Sequence, residues 1–457
     1  MSKPKYDFDL IVIGSGAGGS IAADIVASTG KKVALVEGDT LGGECPNWGC
    51  VPSKALLHVA NIYDQAKNSA ELGIRGSSVG YNYPSVKTWK DLAVKRTGAA
   101  ESDKYYHSRG IALYRGRAHF ISAHQITINR RHLSAAHFLI ATGSNFALPL
   151  IEGLAKTPYL TARTALDLNR PPKSIFIVGA GAVGAEFAEL LSIFGTKVYL
   201  ADIAPRILPS EDDETSRVIE HYFQKKRGMT LLTKSKVLKV SREGLTTKVT
   251  YQRGGESHTV KVDQLMIAAG KQPNVDLGLE NAGVDYTAKG IEVNQQLQTS
   301  APHIFAAGDV IGRHMYTHMG VYESRVAAHN LLAKNKVSVD YRAVPRVTFV
   351  TPEVASVGLS EADCMKRDLK TRIGLAPVNI IGRSNVANMR DGFCKVITDR
   401  KGMLIGATVV APHAGEVIHE LALAIQYGMT ASQVANTLHA FPTWSEVVRV
   451  ACAKIKV

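Results

Sequence analysis

Two cysteines, Cys45 and Cys50, stand five residues apart in the stretch GGECPNWGC, with Pro46 and Gly49 between them. Thiols at that spacing can bind a metal, staple the chain or exchange electrons. The other cysteines, Cys364, Cys394 and Cys452, are far away in sequence. Zinc needs further ligands at short spacing, and His58 alone does not supply them, so no structural metal site is expected. Positions i and i+5 of a regular helix lie farther apart than a disulfide spans, and those of a strand farther still. The pair can therefore bond only across irregular backbone, which Pro46 and Gly49 are expected to provide. A closed loop this small favours a reducible bond over a stabilising one. Redox exchange is the chemistry the pair points to.

The chain of 457 residues, 45% hydrophobic and 21% charged, has the composition of a globular protein of two to four domains. No apolar run approaches bilayer length, so no membrane association is expected. The N-terminus enters a strand almost at once, with no room for a signal peptide. A cytoplasmic, reducing location follows as an expectation, and there a close cysteine pair is reactive or metal-binding more often than structural. The net charge of +14 is dispersed. Its tightest clusters, KKR at 225–227 and the pairs at 31–32 and 130–131, lack interleaved aromatics. That pattern predicts a solvated surface suited to anionic cofactors rather than a nucleic-acid face.

The elements that must position the pair include a repeated unit. Residues 9–39 read as strand, glycine turn, helix and strand, and residues 174–202 repeat that reading. The first copy places Gly14, Gly16 and Gly19 ahead of Glu37; the second places Gly179, Gly181 and Gly184 ahead of Asp202. In both, the acid lies eighteen residues beyond the third glycine. In this context GxGxxG marks a dinucleotide site: the glycines permit a tight turn, close approach of a pyrophosphate, and helix–strand packing. The helix N-terminus faces the phosphates and the acid accepts from an adenosine ribose. Two dinucleotides on one chain imply electron passage between them.

Three more apolar runs stop at a small residue and glycine, in FLIATGS (138–144, with Gly143), LMIAAGKQPN (265–274, with Gly270) and HIFAAGDV (303–310, with Asp309). Strands ending in this way are expected to meet a bound ligand. Beyond residue 344, alternating stretches around the turn TDRKG predict an antiparallel sheet, with helices near 413–427 and 443–455.

Together the two fingerprints, GGECPNWGCVPSKALL, ATGS, GKQPN, AAGDV and the terminal FPTWSE resemble the flavin-dependent pyridine nucleotide–disulfide oxidoreductases, a group that includes dihydrolipoamide dehydrogenase, glutathione reductase and mercuric reductase. The resemblance spans essentially the whole chain. It implies an α/β fold with two Rossmann-like dinucleotide-binding domains, glutathione reductase-like, plus a C-terminal α+β dimerisation domain. The implied boundaries are 1–145 and 273–343 for the two parts of the FAD domain, 146–272 for the NAD(P) domain, and 344–457 for dimerisation.

It also implies roles. The first fingerprint with Glu37 resembles the FAD adenosine site, and Asp309 resembles the acid on the flavin ribityl chain. The second fingerprint with Asp202 resembles the nicotinamide dinucleotide site. Cys50 resembles the charge-transfer thiolate beside the flavin, and Cys45 the interchange thiol facing the acceptor. Lys54 and Glu186 resemble the ion pair near the flavin's reactive nitrogen, and His318 a position near the flavin. In that scheme hydride passes from nicotinamide to flavin, and the reduced flavin opens the disulfide. Asp202 would repel a 2′-phosphate, favouring NADH over NADPH, although Arg206 and Lys271 are close enough in sequence to compete for one.

One motif departs from the family. Its dithiol enzymes carry a histidine before the C-terminal proline, supplied from the partner subunit of a homodimer, with a following glutamate to orient it. Here LHAFPTWSE places Phe441 there, while Pro442 and Glu446 remain. Phenylalanine transfers no proton, so a base worth about a hundredfold or more is missing. His439 is a candidate substitute, against an ordinary packing role. The expected acceptor is therefore a small molecule other than an ordinary dithiol, with a soft metal ion such as Hg(II) or a quinone favoured. The single Cys452, where mercuric reductases carry a vicinal pair, counts against mercury. A lipoamide- or glutathione-type disulfide reductase is the alternative, and an NADH-binding redox sensor is the alternative outside catalysis.

Overall fold

The run Phe8–Ile13 buries five of its six residues, and Val33–Glu37 buries all of them. Strands apolar on both faces suit a parallel sheet covered by helices, and these two pair in parallel, Ile11 opposite Ala34. The helix Ser20–Ala27 connects them and packs Ala22, Ala23 and Val26 inward. On the other side of Phe8–Ile13 lies the long strand Arg131–Ile140, which also pairs in parallel with Ile304–Ala306, Ile304 opposite Phe138. Ala112–Arg115 adds to Val33–Glu37, and the antiparallel strands Gln125–Ile128 and His119–Ser122 complete a seven-stranded sheet. Phe120 and Phe138, both fully buried, meet edge to face with centroids 5.1 Å apart.

The computed structural model describes residues 6–75 and 78–456. It divides into two compact units, and the sheet just described belongs to the first, built from residues up to 56, 85–147 and 270–339. The second unit comprises residues 57–84, 148–269 and those from 340 onward. The chain thus leaves the first unit twice and returns to it at 85–147 and at 270–339.

In the second unit, the parallel strands Ser174–Val178, Lys197–Ala201, Thr230–Leu232 and Gln264–Ile267 repeat the first architecture on a smaller scale. The helix Ala182–Ile193 buries nine of its twelve residues, two of them glutamates. Buried carboxylates need partners. Glu186 Oε1 accepts from the Phe349 amide at 3.0 Å, and Glu189 Oε2 from the Thr351 amide at 2.7 Å. Glu189 also meets Arg227, which forks onto Asp64 at 2.5 and 2.8 Å.

The TDRKG turn joins Phe393–Thr398 to Leu404–Ala411 in a five-stranded antiparallel sheet, and the helices expected after it span Ala414–Gln426 and Glu446–Ala453. Lys395 on this sheet is 1% exposed, its ammonium 2.7 Å from Asp212, 2.6 Å from Glu361 and 3.2 Å from Glu214. Among the described residues, no helix is long and apolar enough to cross a membrane.

Candidate active site

The redox loop is built from a short helix, a break and a long helix. Gly43, with φ of 68°, turns the chain into Glu44–Trp48. Pro46 sits in the first turn of that helix, where no intrahelical N–H bond is required. The irregularity expected of both Pro46 and Gly49 thus comes from Gly49 alone, whose φ of −120° and ψ of −110° end the helix. A Cβ on Gly49 would stand 3.0 Å from Glu44 Cγ and 3.1 Å from Cys45 Cα, so a side chain there would require the loop to shift by a few tenths of an ångström. Asn47 braces it by donating to the carbonyls of Leu41 and Gly43, both at 2.8 Å.

Cys50 then opens the eighteen-residue helix Cys50–Lys67, where unpaired amides and the helix dipole favour an anion. Both cysteines are free thiols and hydrogen-bond to each other. Cys50 Sγ also lies 3.3 Å from Thr317 Oγ1. The hydrogen bond from Cys45, helped by Thr317 and the Lys54 charge, overcomes burial and the Glu44 carboxylate and brings the Cys50 thiol down to about 6. Cys45 moves far the other way, because it supplies that hydrogen bond, is desolvated and faces the Cys50 charge. The shared hydrogen bond thus favours the thiolate on Cys50 and the proton on Cys45.

The two fingerprints have the same internal geometry. Gly14 and Gly179 have φ of 105° and 106°; a side chain on either would collide with the carbonyl of Ala141 or Ala268. A side chain on Gly19 or Gly184 would collide with the carbonyl of Gly14 or Gly179. The middle glycines are open: the nearest atom to a Gly16 Cβ would be Gly43 Cα at 3.8 Å, and nothing lies within 4 Å at Gly181. These are the roles of a turn, a packing contact and a pyrophosphate seat, so both sites fit a dinucleotide.

The acids also correspond. Glu37 accepts from the Ser15 amide at 2.9 Å and the Asp39 amide at 2.7 Å; Asp202 accepts from the Ala180 and Ala204 amides at 2.7 and 2.8 Å. Ser15 Oγ donates to Glu37 at 2.5 Å and receives the Gly42 amide at 3.1 Å, which ties the redox loop to the first fingerprint.

Gly143 and Gly270, with φ of 70° and 109°, flank the paired strands Ser144–Phe146 and Lys271–Pro273. Ser144 Oγ donates to Asp309 Oδ2 at 2.6 Å. Lys271 is engaged within the first unit: its ammonium is 2.7 Å from Glu44 Oε1 and 3.5 Å from Asp309 Oδ2. Arg206 is engaged by Asp213 at 2.9 Å and by the Glu211 carbonyl at 3.0 Å. His318 stacks on Tyr316 with centroids 5.4 Å apart, and its neighbour Thr317 is the residue that reaches Cys50. Lys54 lies one helical turn beyond Cys50, and Glu186 lies in the second unit.

The C-terminal loop also lies in the second unit. Phe441 is 76% exposed, and a methyl group added at Gly382 would stand 3.0 Å from its Cζ. The His439 side chain is 5% exposed, with Nε2 2.8 Å from Glu420 Oε1 and Nδ1 2.9 Å from the Thr437 carbonyl. Glu446 is buried and accepts from the Thr443 amide at 3.2 Å. Cys452 is buried, and burial pushes its thiol up to about 12; Cys364 and Cys394 are buried and shifted in the same direction. Of the five cysteines, only the Cys50 thiol is shifted downward.

Sequence reasoning missed Glu44, Thr317 and Glu420. Glu44 and Thr317 adjoin residues it singled out, Cys45 and His318, and that adjacency was the available signal. Nothing in the sequence pointed to Glu420.

Comparison with known proteins agrees along the chain. The model of the family described as pyridine nucleotide-disulphide oxidoreductase matches residues 8–330, and that of its dimerisation domain matches residues 344–452. A dihydrolipoyl dehydrogenase from Geobacillus stearothermophilus is 36% identical over 449 residues, covering 96% of this chain and 94% of the relative. A mercuric reductase from Staphylococcus aureus is 33% identical over 448 residues, covering 97% and 82%. The copper(II) complex of the HOCl-induced flavoprotein disulfide reductase RclA from Escherichia coli superposes with a TM-score of 0.87 at 27% identity, covering 99% of this chain and 100% of that one.

Proposed function

The chain belongs to the pyridine nucleotide-disulphide oxidoreductase family, and from that premise we propose that it takes electrons from NADH and delivers them through Cys45 and Cys50 to a small acceptor other than an ordinary dithiol. FAD is the cofactor of this family; when bound, it supplies two-electron exchange between nicotinamide and thiols. A homodimer fits the dimerisation domain. We assign residues 1–145 with 273–343 to FAD, 146–272 to the nicotinamide dinucleotide and 344–457 to dimerisation, in a cytoplasmic protein.

The observation that carries the acceptor reading is Phe441, which is exposed and stands where the resemblance implies a base in the family's dithiol enzymes. His439 supports it, because Glu420 and a backbone carbonyl engage both ring nitrogens. Without a base at that position, Cys45 must release its proton to the acceptor or to solvent. A thiophilic metal ion favours this by displacing the proton as sulfur binds it, and a quinone accepts electrons without thiol exchange. The family relatives include mercuric reductases, and copper(II) is bound in the RclA complex. Buried Cys452 contributes no delivery thiol, so an ion would meet Cys45 directly.

Within the site, Cys50 holds the thiolate and Lys54 contributes positive charge beside it. The pairing of Lys54 with Glu186 that the resemblance implies belongs to this reading. Asp202 supports NADH, because Arg206 and Lys271 are both engaged by carboxylates. A tenfold preference for NADPH in kcat/KM would overturn that part.

A second reading, dihydrolipoamide dehydrogenase, is favoured by relatives of that name at 34–36% identity. The deciding experiment is anaerobic reduction with NADH followed by Hg(II), Cu(II), quinones, lipoamide and glutathione disulfide. Rapid reoxidation by a metal ion or quinone alone is expected; efficient lipoamide or glutathione-disulfide turnover would overturn the acceptor assignment.

A further inference from the structure

We infer that Glu44 is a positioning and charge-setting residue for Cys50: held by Lys271, it ties the redox loop to Asp309 and offsets positive charge around the thiolate. The inference rests on the reading of Cys50 as the reactive thiolate, and on no particular acceptor.

Three observations in the first unit support it. Glu44 Oε1 and Lys271 Nζ are 2.7 Å apart, and the ammonium is 3.5 Å from Asp309 Oδ2, which Ser144 also holds at 2.6 Å. Glu44 Cγ stands 3.0 Å from where a Gly49 side chain would begin, so its stem lies against the residue before Cys50. The pair is partly shielded, with Lys271 and Glu44 side chains 23% and 30% exposed, so its charges act at lower dielectric than on an open surface. Among the charges acting on Cys50, Lys54 stabilises the thiolate and Glu44 opposes it. Lys271 partly cancels Glu44, and the sign of its effect on Cys50 is therefore opposite to that of Glu44.

The test is the pH dependence of the thiolate-to-flavin charge-transfer absorbance of the reduced, FAD-loaded enzyme, which reports the Cys50 thiolate. Glu44→Gln removes the opposing charge. The midpoint falls and the thiolate fraction at pH 5 is roughly threefold that of wild type. Lys271→Met leaves Glu44 and Asp309 uncompensated, so the midpoint rises and the thiolate fraction at pH 5 falls. Glu44→Asp keeps the charge and the wild-type midpoint, which separates charge from loss of fold. Loop loosening alone would move Glu44→Gln and Lys271→Met in the same direction, toward an ordinary thiol. Shifts of like sign, or none, overturn the inference. A wild-type midpoint near that of a free thiol would instead overturn the reading of Cys50 on which it rests.

Discussion

On the proposed reading, replacing Phe441 with histidine supplies the proton-transfer group that the resemblance implies for the family's dithiol enzymes, and so tests the acceptor assignment directly. The cost to the fold is small. Phe441 is 76% exposed, so about a quarter of its surface is buried. For a ring that can bury roughly 200 Å² this is about 50 Å², worth about 1 kcal/mol. A folded variant is therefore expected. Glu446 stays in place, buried and bonded to the Thr443 amide at 3.2 Å. A positioned general base contributes roughly 100- to 10,000-fold, so kcat for NADH-dependent lipoamide reduction is expected to rise at least tenfold in Phe441→His, even with imperfect alignment. The pH–rate profile should gain an ionisation at about 6.5, that of an unperturbed histidine. His439→Ala, measured alongside, should leave the wild-type profile unchanged. The acceptor assignment fails if wild type already reduces lipoamide as fast as the variant, or if the folded variant gains nothing.

Three further outcomes follow from the same geometry. Cys45→Ala removes the largest influence lowering the Cys50 thiol, so the midpoint of its thiolate absorbance rises and the thiolate fraction at pH 7 falls; Cys45→Ser, which keeps a donor, shifts it less. Lys395→Met strands three carboxylates around a position 1% exposed. Breaking so buried a cluster costs about 3–5 kcal/mol, visible as a lower Tm, and because the three oxygens lie within 4.8 Å of one another, Mn(II) should raise the Tm of the variant more than that of wild type. Asp202→Ala frees the Ala180 and Ala204 amides, so KM for NADH should rise at least tenfold while dithionite still reduces the bound flavin at the wild-type rate.

What could be read from the chain in advance was local. A glycine turn between two apolar strands carries its own geometry, so both βαβ units and their acids stand where the spacing put them. The contacts that set the chemistry of Cys50 are distant in sequence: Thr317 lies 267 residues away, and Lys271 lies 227 residues from Glu44. Periodicity contains no term for such meetings. Proline misled for a related reason, since Pro46 breaks a helix only beyond its first turn, and where the turn begins is settled by Gly43.

The two thiols also differ in what supports them. Around Cys50, a helix N-terminus, the Cys45 and Thr317 hydrogen bonds and the Lys54 charge combine to hold a thiolate. Cys45 is driven the opposite way by the same bond, so the stability of one sulfur's charge is obtained by fixing a proton on the other. An acceptor must remove that proton. On the proposed reading, with Phe441 where the resemblance implies a histidine, the acceptor would bind sulfur strongly enough to displace the proton, or take up the proton together with the electrons. The asymmetry of the pair thus carries the argument from thiol chemistry to substrate class.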